Sequence, residues 1–371
     1  MNVGIHTQIS SAHSPTASQP PTAMKLLRLI NGHTHKKVVK VVKTSKHQCV
    51  NEWGSKNSQG ADVLIFGNGE VSLFEKPPHK GPNDLWVFLS KEPQSKLKKR
   101  FVQPNWDGMF NYSVTFNRKT QASFHIFRPI IVPITPIQQR YFVNKADMKA
   151  LWMVSHCKTT ESNQNVFSAR EEYVIELSKH IPIDVFTSRA ESCSLVLNSV
   201  NRSIYNDEEP NFDKYMFYLS FENSLCQDYI TEKFWKVLES DDAMIPIALG
   251  GVSIEDYYTI APPNSFIHVT NFSSPEALAN HLKYIAKEPD AFNYYHQWRN
   301  SYRLNGSNHI MAPDRTLMYH GDYIKYICDL AYERPQSIWS NFSEEYGNHQ
   351  CLDVSAPEDY CPFYNLPCKE L

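Results

Sequence analysis

Hydrophobic residues along the chain occur in short runs, separated by polar turns and by segments with helical spacing. In the first half, Ala61–Phe66 and Leu85–Ser90 are short, nearly all apolar and bounded by polar residues. Runs of this kind predict buried strands. The paired valines of residues 36–43 lie among lysines, and this pattern predicts another strand whose charges face the solvent.

From about residue 150, strands and helices alternate more clearly. The predicted strands are Ala150–His156, Pro182–Thr187, Met216–Phe221, Ala243–Leu249 and Ser265–Val269. Helices are predicted at Ser168–His180, where Val174 and Leu177 are spaced to face a core, at Asp228–Glu239, and from Ser274, a capping residue followed by proline. Such alternation predicts an α/β fold with parallel sheets covered by helices.

The alternation restarts after a proline-rich stretch at residues 128–136, which divides the chain into two candidate α/β domains with a cleft between them. We expect a disordered N-terminal segment at 1–35, because it is rich in Ser, Thr, Pro and His. We place the two domains at 36–145 and 146–345. A cysteine-containing tail occupies 346–371.

The cysteines suggest an oxidising compartment. Four of the eight lie near the C-terminus, at Cys328, Cys351, Cys361 and Cys368. This spacing favours a loop-rich, disulfide-linked tail. A zinc site is the alternative, although zinc knuckles need closely paired ligands and no C-x-x-C occurs.

Glycosylation sequons carry less information. There are five, at Asn111, Asn201, Asn271, Asn305 and Asn341. This number is close to the chance expectation at this composition, so the sequons by themselves decide little about the compartment.

Charge and hydropathy exclude some functions. The formal net charge of −2 gives no reason to expect a nucleic-acid partner, which usually needs a basic face. No stretch approaches the roughly 18 apolar residues of a membrane span. The first 24 residues lack the charged start and apolar middle of a secretory signal. These features predict a soluble chain.

The most informative segment is FYLSFENSLCQDYITEKFW at residues 217–235. It predicts a strand, a short polar loop and a helix N-terminus, the place where open α/β sheets bind ligands and anions. Here Lys233 is a candidate for contacting a phosphate, Glu232 for accepting from ribose hydroxyls, and Asn223 and Tyr229 for holding a nucleotide. The alternative is that Glu232 and Lys233 are ordinary surface charges and that Asn223 caps a turn.

No D-x-D motif occurs in the chain. Many enzymes that use sugar nucleotides bind a divalent ion through such paired carboxylates. Its absence predicts that cationic side chains and helix ends neutralise a diphosphate. No metal is required by these residues, although a divalent ion such as Mn²⁺ can still assist.

The same segment, with IPIALGG, NSFIHV and FSSPEALANHLKYI downstream, is similar to the signature region of the α1,3/α1,4-fucosyltransferases, glycosyltransferase family 10. The match is dense over residues 215–299 and continues upstream through VSHCKTTESNQNVFSAREEYVIELSKHIPIDVF. The N-terminal half resembles the family more thinly, in LWVFLSKEP and MFNYSVTFNRKTQ.

The resemblance implies the GT-B fold, with two Rossmann-like domains facing a cleft. The C-terminal domain is expected to bind GDP-fucose through Asn223, Tyr229, Glu232 and Lys233. Arg170 matches an arginine that contacts phosphate in the family. The resemblance thus implies a nucleotide site on one side of the cleft.

The N-terminal domain is expected to hold the acceptor, and Glu92 matches the family's catalytic base. Inversion at a sugar carbon needs one carboxylate that deprotonates the incoming hydroxyl and cations that stabilise the leaving diphosphate. The implied acceptor is a GlcNAc-containing glycan, either an N-acetyllactosamine antenna or an N-glycan core, with the 3-hydroxyl favoured.

Family members reside in the Golgi lumen, usually behind a membrane anchor that this chain does not display. Two alternatives to the fucosyltransferase hypothesis stay open: a catalytically inactive glycan-binding relative, and a GT-B enzyme that uses another sugar nucleotide.

Overall fold

The computed structural model describes residues 24–30, 38–55, 60–67, 77–93, 104–118, 122–125, 130–137, 148–155, 157, 169–200, 210–305, 309–311, 317–320, 323–334, 338, 342–345 and 351–352. Among these residues, no helix has the length and apolar character that crossing a bilayer requires. Two separate sheets organise the described chain.

The strands are numbered in chain order: β1 (Lys25–Ile30), β2 (Val38–Lys43), β3 (Gln48–Ser55), β4 (Val63–Gly67), β5 (Leu85–Ser90), β6 (Tyr112–Thr115), β7 (Ala122–His125), β8 (Ile130–Pro133), β9 (Ala150–Met153), β10 (Ile183–Phe186), β11 (Phe217–Phe221), β12 (Leu225–Cys226), β13 (Ile245–Leu249), β14 (Ile267–His268), β15 (Tyr302–Asn305), β16 (His309–Met311), β17 (Leu317–His320) and β18 (Cys351–Leu352). The α-helices are α1 (Arg170–Ser178), α2 (Ser194–Ser199), α3 (Glu232–Glu239), α4 (Glu255–Tyr258), α5 (Pro275–Lys287), α6 (Pro289–Tyr294), α7 (Tyr323–Glu333) and α8 (Phe342–Glu345).

The first unit is built on a mixed sheet in the order β2-β3-β1-β4-β5-β6-β7-β16-β17. Strands β3, β1, β4, β5, β6 and β7 are parallel to one another. At the ends of the sheet the pairs are antiparallel: β2 with β3, β16 with β7, and β17 with β16. Helix α7 covers one face, where Ile327 and Leu330 pack on strand residues. An aromatic cluster that includes Trp86, Phe88 and Phe110 covers the other face. The apolar strands are therefore buried on both sides.

The second unit has an all-parallel sheet in the order β10-β9-β11-β13-β14. Helices α1 and α5 pack on one face, and α3 and α4 pack on the other through residues such as Trp235 and Tyr257. Val174 and Leu177 of α1 are fully buried in this core, as their spacing predicts. The predicted α/β class, with parallel strands in both sheets, is confirmed.

The strand order of the second unit creates a crevice at its centre. After β9, the chain adds β10 on one side, and it then adds β11 on the other side of β9. At such a reversal, the loops leaving the two central strands diverge and open a space outside their carboxyl ends. Helix α3 begins at this edge after β11.

Two boundaries differ from the sequence-based expectation. Lys25–Ile30 lies within the segment 1–35 that we expect to be disordered, yet it forms β1 in the middle of the first sheet. Its short apolar run gains parallel partners on both sides, and local composition does not reveal these partners. The domain at 146–345 is also not one continuous unit, because β16, β17 and α7 return to the first sheet.

Several element ends shift for local reasons. The predicted helix Asp228–Glu239 begins only at Glu232, because Asp228 has a left-handed backbone conformation with φ 65°. The predicted strand Ala243–Leu249 begins at Ile245, since Ala243 has φ 52°. Ser168–His180 shortens to α1, Met216–Phe221 to β11, and Ser265–Val269 to β14.

Three disulfides join distant parts of the described chain. They are Cys49–Cys328, Cys157–Cys193 and Cys226–Cys351. The tail prediction is correct for Cys351, which lies in β18 and pairs with β12. Cys328 instead attaches α7 to the first sheet, and Cys361 and Cys368 lie outside the described residues.

Candidate active site

The candidate site lies at the carboxyl ends of β9 and β11, where the crevice opens. Arg170 is the first residue of α1 and is buried there. Its Nη1 donates to the carbonyl of Phe221, the last residue of β11, at 3.1 Å. Its guanidinium also stands 5.7 Å from the ring centre of Trp152 in β9. Arg170 therefore spans the two central strands with its cationic group at the crevice.

The turn that enters α3 is organised by a fully buried carboxylate, Glu222. Glu222 Oε1 accepts from the backbone N–H of Thr231 at 2.7 Å and from its hydroxyl at 2.9 Å. Glu222 Oε2 accepts from Nζ of Lys233 at 3.1 Å. Glu222 thus binds the backbone and side chain of Thr231, the residue that precedes the first turn of α3.

Lys233 is the cation of this network. Its Nζ also donates to Thr231 Oγ1 at 2.8 Å and to Glu232 Oε1 at 3.2 Å. Burial by itself lowers the pKa of Lys233, but Glu222 and Glu232 outweigh it, and the pKa is raised. The pKa of Glu222 is also raised, because burial outweighs the attraction of Lys233. Lys233 is therefore held as an ammonium group near neutral pH.

The backbone that follows β13 approaches the side chain of Glu222 closely. Gly250 follows β13, and a Cβ at this position would stand 2.5 Å from the Tyr257 hydroxyl and 2.7 Å from Cγ of Glu222. Only glycine fits such a contact. Burial raises the pKa of Tyr257 well above its usual range, so the phenol stays neutral beside Glu222.

His268, at the end of β14, is a second buried titratable group behind the site. Its ring stacks edge-on with Tyr257 at 5.2 Å between centroids, and Nδ1 lies 2.7 Å from Oγ1 of Thr270. Burial lowers the pKa of His268 to about 4. The imidazole is therefore neutral at physiological pH.

Glu92 joins the site from the other unit. It follows β5, and the hydroxyl of Ser90 fixes this turn by donating to the Glu92 carbonyl at 2.6 Å. Glu92 Oε2 accepts from the hydroxyl of Tyr229 at 3.0 Å. Burial, with Glu92 and Glu222 nearby, raises the pKa of Tyr229 well above its usual range. A carboxylate of the first unit thus meets the entrance of α3 in the second.

A second contact between the units involves Arg118, which follows β6. Its guanidinium forms an ion pair with Asp228, its backbone N–H donates to Asp228 Oδ2 at 3.1 Å, and Nη1 donates to Thr259 Oγ1 at 2.8 Å. Phe116 also packs edge-on against Tyr229 at 5.1 Å. These contacts hold the loop after β6 against the turn that carries Tyr229.

The structure brings most of the predicted site residues to one edge. Glu92 contacts Tyr229, and Glu232 contacts Lys233. Arg170 lies close enough to Lys233 for its positive charge to oppose part of the rise in the pKa of Lys233 that Glu222 and Glu232 cause. Asn223 occupies the loop after β11, and its buried Oδ1 forms no hydrogen bond within the described residues. The predicted residues therefore come from both units, with Glu92 in the first and the others in the second.

The sequence pattern does not single out four residues that the structure places in these contacts: Glu222, Thr231, Arg118 and Asp228. Glu222 stands inside the informative FENS segment, but its complete burial is not visible in the sequence. Arg118 lies in the segment MFNYSVTFNRKTQ. The pattern of this segment indicates no individual residue as a candidate for the site. No three His, Cys, Asp or Glu side chains of the described residues converge to hold a metal ion.

Comparison with known proteins identifies the family. Residues 143–333 match the family described as "Glycosyltransferase family 10 (fucosyltransferase) C-term". This range covers more than half of the chain and contains Arg170, Glu222 and Lys233. The chain belongs to glycosyltransferase family 10.

Individual relatives agree with this assignment. The chain is 34% identical over 273 residues to "Alpha-(1,3)-fucosyltransferase fut-1" of Caenorhabditis elegans, covering 67% of this chain and 54% of the relative. It is 31% identical over 252 residues to "3-galactosyl-N-acetylglucosaminide 4-alpha-L-fucosyltransferase FUT3" of Bos taurus, covering 66% and 62%. It is 30% identical over 257 residues to "GDP-fucose protein O-fucosyltransferase 3" of Gallus gallus, covering 66% and 50%. The alignments thus span between half and two thirds of these relatives.

Proposed function

We propose that the chain transfers L-fucose from GDP-fucose, with inversion, to the 3-hydroxyl of a GlcNAc in a glycoprotein or glycolipid glycan. The observation that carries the proposal is the 3.0 Å hydrogen bond between Tyr229 and Glu92. It connects a partly exposed carboxylate of the first unit to the segment that supplies Lys233. Family membership and the names of the relatives support the choice of donor.

In the proposed reaction, Glu92 removes the proton from the acceptor hydroxyl. The resulting oxygen attacks the anomeric carbon of fucose on the face opposite the diphosphate, and the bond from that carbon to the phosphate oxygen breaks. GDP then leaves with the bonding electron pair. A carboxylate supplied by the unit that does not carry the cations suits this direction of attack.

The cations Arg170 and Lys233 are proposed to neutralise the diphosphate. Both lie at the crevice of the second sheet, and Lys233 is held as an ammonium group by Glu222 and Glu232. Cations fixed before the reaction stabilise developing negative charge without reorganising during it. Glu232, whose side chain is 43% exposed, is proposed to accept from ribose hydroxyls. Asn223 and Tyr229 are proposed to line the nucleotide site.

The relatives carry the names of 1,3-, 4- and protein O-fucosyltransferases. We propose a GlcNAc-containing glycan, either an N-acetyllactosamine antenna or an N-glycan core. The proposed location is the Golgi lumen, which is consistent with the three disulfides.

The test is transfer of labelled fucose from GDP-fucose by the secreted chain. The acceptors are N-acetyllactosamine, a trimmed N-glycan core and a folded polypeptide, and GDP-mannose replaces GDP-fucose in a parallel series. We expect fucose transfer to one of the two glycans. GDP binding without transfer to any acceptor would indicate an inactive relative. Transfer from GDP-mannose alone, or to the polypeptide alone, would overturn the proposed donor or acceptor.

A further inference from the structure

The short strand β12, which precedes the turn into α3, is joined to β18 near the end of the described chain. The two strands are antiparallel, with Leu225 opposite Leu352 and Cys226 opposite Cys351, and a disulfide connects the two cysteines. Among the residues that the structure describes, β12 and β18 pair only with each other. A two-stranded ribbon of this length is marginal in water, so the disulfide is what keeps the two segments together.

Cys226 also begins a tight turn that ends at Tyr229. Its carbonyl accepts from the backbone N–H of Tyr229 at 3.0 Å, and Asp228, the third residue of the turn, has the left-handed φ of 65°. Such a conformation is costly for a residue other than glycine and persists only where the surroundings enforce it. Here the disulfide holds the first residue of the turn, and Arg118 holds the third through its ion pair with Asp228.

The disulfide belongs to the small apolar cluster that contains Tyr229. Cys226 and Tyr229 are both buried and pack in one cluster with Phe116, against which the partly buried Cys351 lies. The ring of Tyr229 contacts the ring of Phe116 edge-on, at 5.1 Å between centroids. The turn therefore holds the backbone of Tyr229 and the cluster holds its ring, so that its hydroxyl has a fixed position.

Glu92 is supported in different ways by the two units. Its backbone carbonyl accepts from the hydroxyl of Ser90 at 2.6 Å, and this bond fixes the turn but not the carboxylate. Its Oε2 accepts from the Tyr229 hydroxyl at 3.0 Å. Burial raises the pKa of Tyr229 well above its usual range, so the phenol stays protonated and acts as a constant donor. The position of the carboxylate thus depends on Tyr229.

We propose that the Cys226–Cys351 disulfide is a positioning element for the reaction and that it acts on the carboxylate of Glu92 through Tyr229. This inference rests on the function proposed above, in which Glu92 is the base. A base must stand within hydrogen-bond reach of the hydroxyl that it deprotonates. A displacement of about 1 Å can cost a factor of about 100 in rate, so the segment that holds Tyr229 controls the rate of transfer.

The cations of the donor site are held by other contacts. Nζ of Lys233 donates to Glu222 and Thr231, and Arg170 donates to the carbonyl of Phe221. None of these residues belongs to the turn that begins at the disulfide. Loss of the disulfide should therefore slow transfer and leave the binding of GDP almost unchanged, whereas a purely structural role would change both.

The test compares the secreted full chain with the double variant Cys226→Ala and Cys351→Ala. We expect kcat for fucose transfer to fall about tenfold to a hundredfold, while the Kd for GDP changes less than about threefold by calorimetry. The control is Cys49→Ala with Cys328→Ala, which should lose stability and keep kcat. Cys49 lies beside the first residue of β1, at the edge of the first sheet opposite to the one where Glu92 follows β5.

Tyr229→Phe is the second variant, since it keeps the ring and the disulfide and removes only the hydroxyl. We expect the same loss of kcat as in the double alanine variant. Combining the changes should cause little further loss, because both act on one contact. Losses that multiply in the combined variant, or a normal kcat in Tyr229→Phe, would separate the disulfide from Glu92 and overturn the proposal. A double alanine variant that does not fold would also overturn it, because the disulfide would then serve folding as a whole.

Amide hydrogen exchange, read by mass spectrometry, tests the positioning of the turn without fucose transfer. In the double alanine variant of Cys226 and Cys351, exchange should become faster at residues 225–231, which contain the turn. The control without the Cys49–Cys328 disulfide should show no change there. A wild type that transfers no fucose, together with this exchange pattern, would remove the proposed function and leave the anchoring of the turn in place. Unchanged exchange at 225–231 would overturn the positioning role even in an active enzyme.

Discussion

The hydroxyl of Tyr229 donates to the carboxylate of Glu92 at 3.0 Å, although the two residues are 137 positions apart in the chain. Tyr229 is 2% exposed, whereas Glu92 stays partly exposed at the cleft. A buried phenol that donates to one oxygen of a carboxylate fixes the orientation of that carboxylate. This contact is the basis of the first prediction.

Replacing Glu92 by glutamine should abolish most of the turnover while preserving donor binding. Glutamine keeps the shape and can still accept from Tyr229, but it cannot remove a proton. We expect kcat to fall by about 10²–10⁴ and the Kd for GDP to change less than about threefold. The measurements are fucose transfer and calorimetric GDP binding, with the surface variant Glu239→Gln as control. A Glu92→Gln variant with normal kcat would remove Glu92 from the role of base.

Replacing Lys233 by alanine should weaken GDP binding, because the side chain supplies positive charge at the crevice. We expect the Kd for GDP to rise about tenfold to a hundredfold, from the loss of a charge-assisted contact. Lys236→Ala is the matched control, since Lys236 lies on the same helix and is exposed. Calorimetry with GDP measures both variants.

The Lys233 variant also leaves Glu222 buried without its cation, so stability and binding must be separated. The double variant Lys233→Ala with Glu222→Gln removes the unpaired charge and should recover part of the lost stability, because a buried unpaired carboxylate is costly. GDP affinity should stay low in the double variant. Recovery of GDP binding along with stability would show that Lys233 acts only through folding.

Replacing Arg118 by alanine should loosen the contact between the units. The change leaves Asp228, whose side chain is 3% exposed, without its guanidinium. We expect unfolding to become easier by about 2–4 kcal/mol. Transfer should fall about tenfold or more while GDP affinity changes little, since Glu92 loses its position relative to the donor unit. Arg189→Ala, an exposed site, should shift stability by less than about 0.5 kcal/mol. Equal losses in the two variants would contradict the role of Arg118.

Stability should fall in acid because of His268. Its pKa in the folded state is about 4, against an ordinary value of 6.5, so the unfolded chain binds more protons between these values. Stability from the neutral imidazole is therefore complete above pH 6.5 and is lost as the pH falls towards 4. At about 1.4 kcal/mol per pH unit, this amounts to about 3 kcal/mol.

The test compares urea unfolding at several pH values between 7 and 4 for the wild type, His268→Asn and His180→Gln. Asparagine retains an acceptor for Thr270 but has no group that titrates in this range. The His268 variant should show a flatter pH dependence, whereas the variant of the partly exposed His180 should follow the wild type. Identical slopes in all three proteins would exclude His268 as a source of the acid sensitivity.

The local pattern of the sequence determined the α/β class and most of the strands of the second unit. Apolar runs such as Ile245–Leu249 form buried strands, because a parallel sheet covered on both faces requires continuous hydrophobicity. The sequence also predicted that Lys233 lies near the start of a helix that follows a strand, because the strand, the loop and the helix are adjacent in the chain. Apolar runs and their periodicity are local properties, and a single sequence records them.

Only the tertiary structure decided the pairings between distant segments. Arg118 and Asp228 are 110 positions apart, β1 gains its neighbours from β3 and β4, and α7 returns to the first sheet. The burial of Glu222 likewise depends on Gly250, Thr231 and Lys233 meeting around it. Such contacts follow from the packing of whole elements, and the same local pattern is compatible with many partners. The sequence therefore determined which residue types stand at strand ends, and the fold decided which of them face one another.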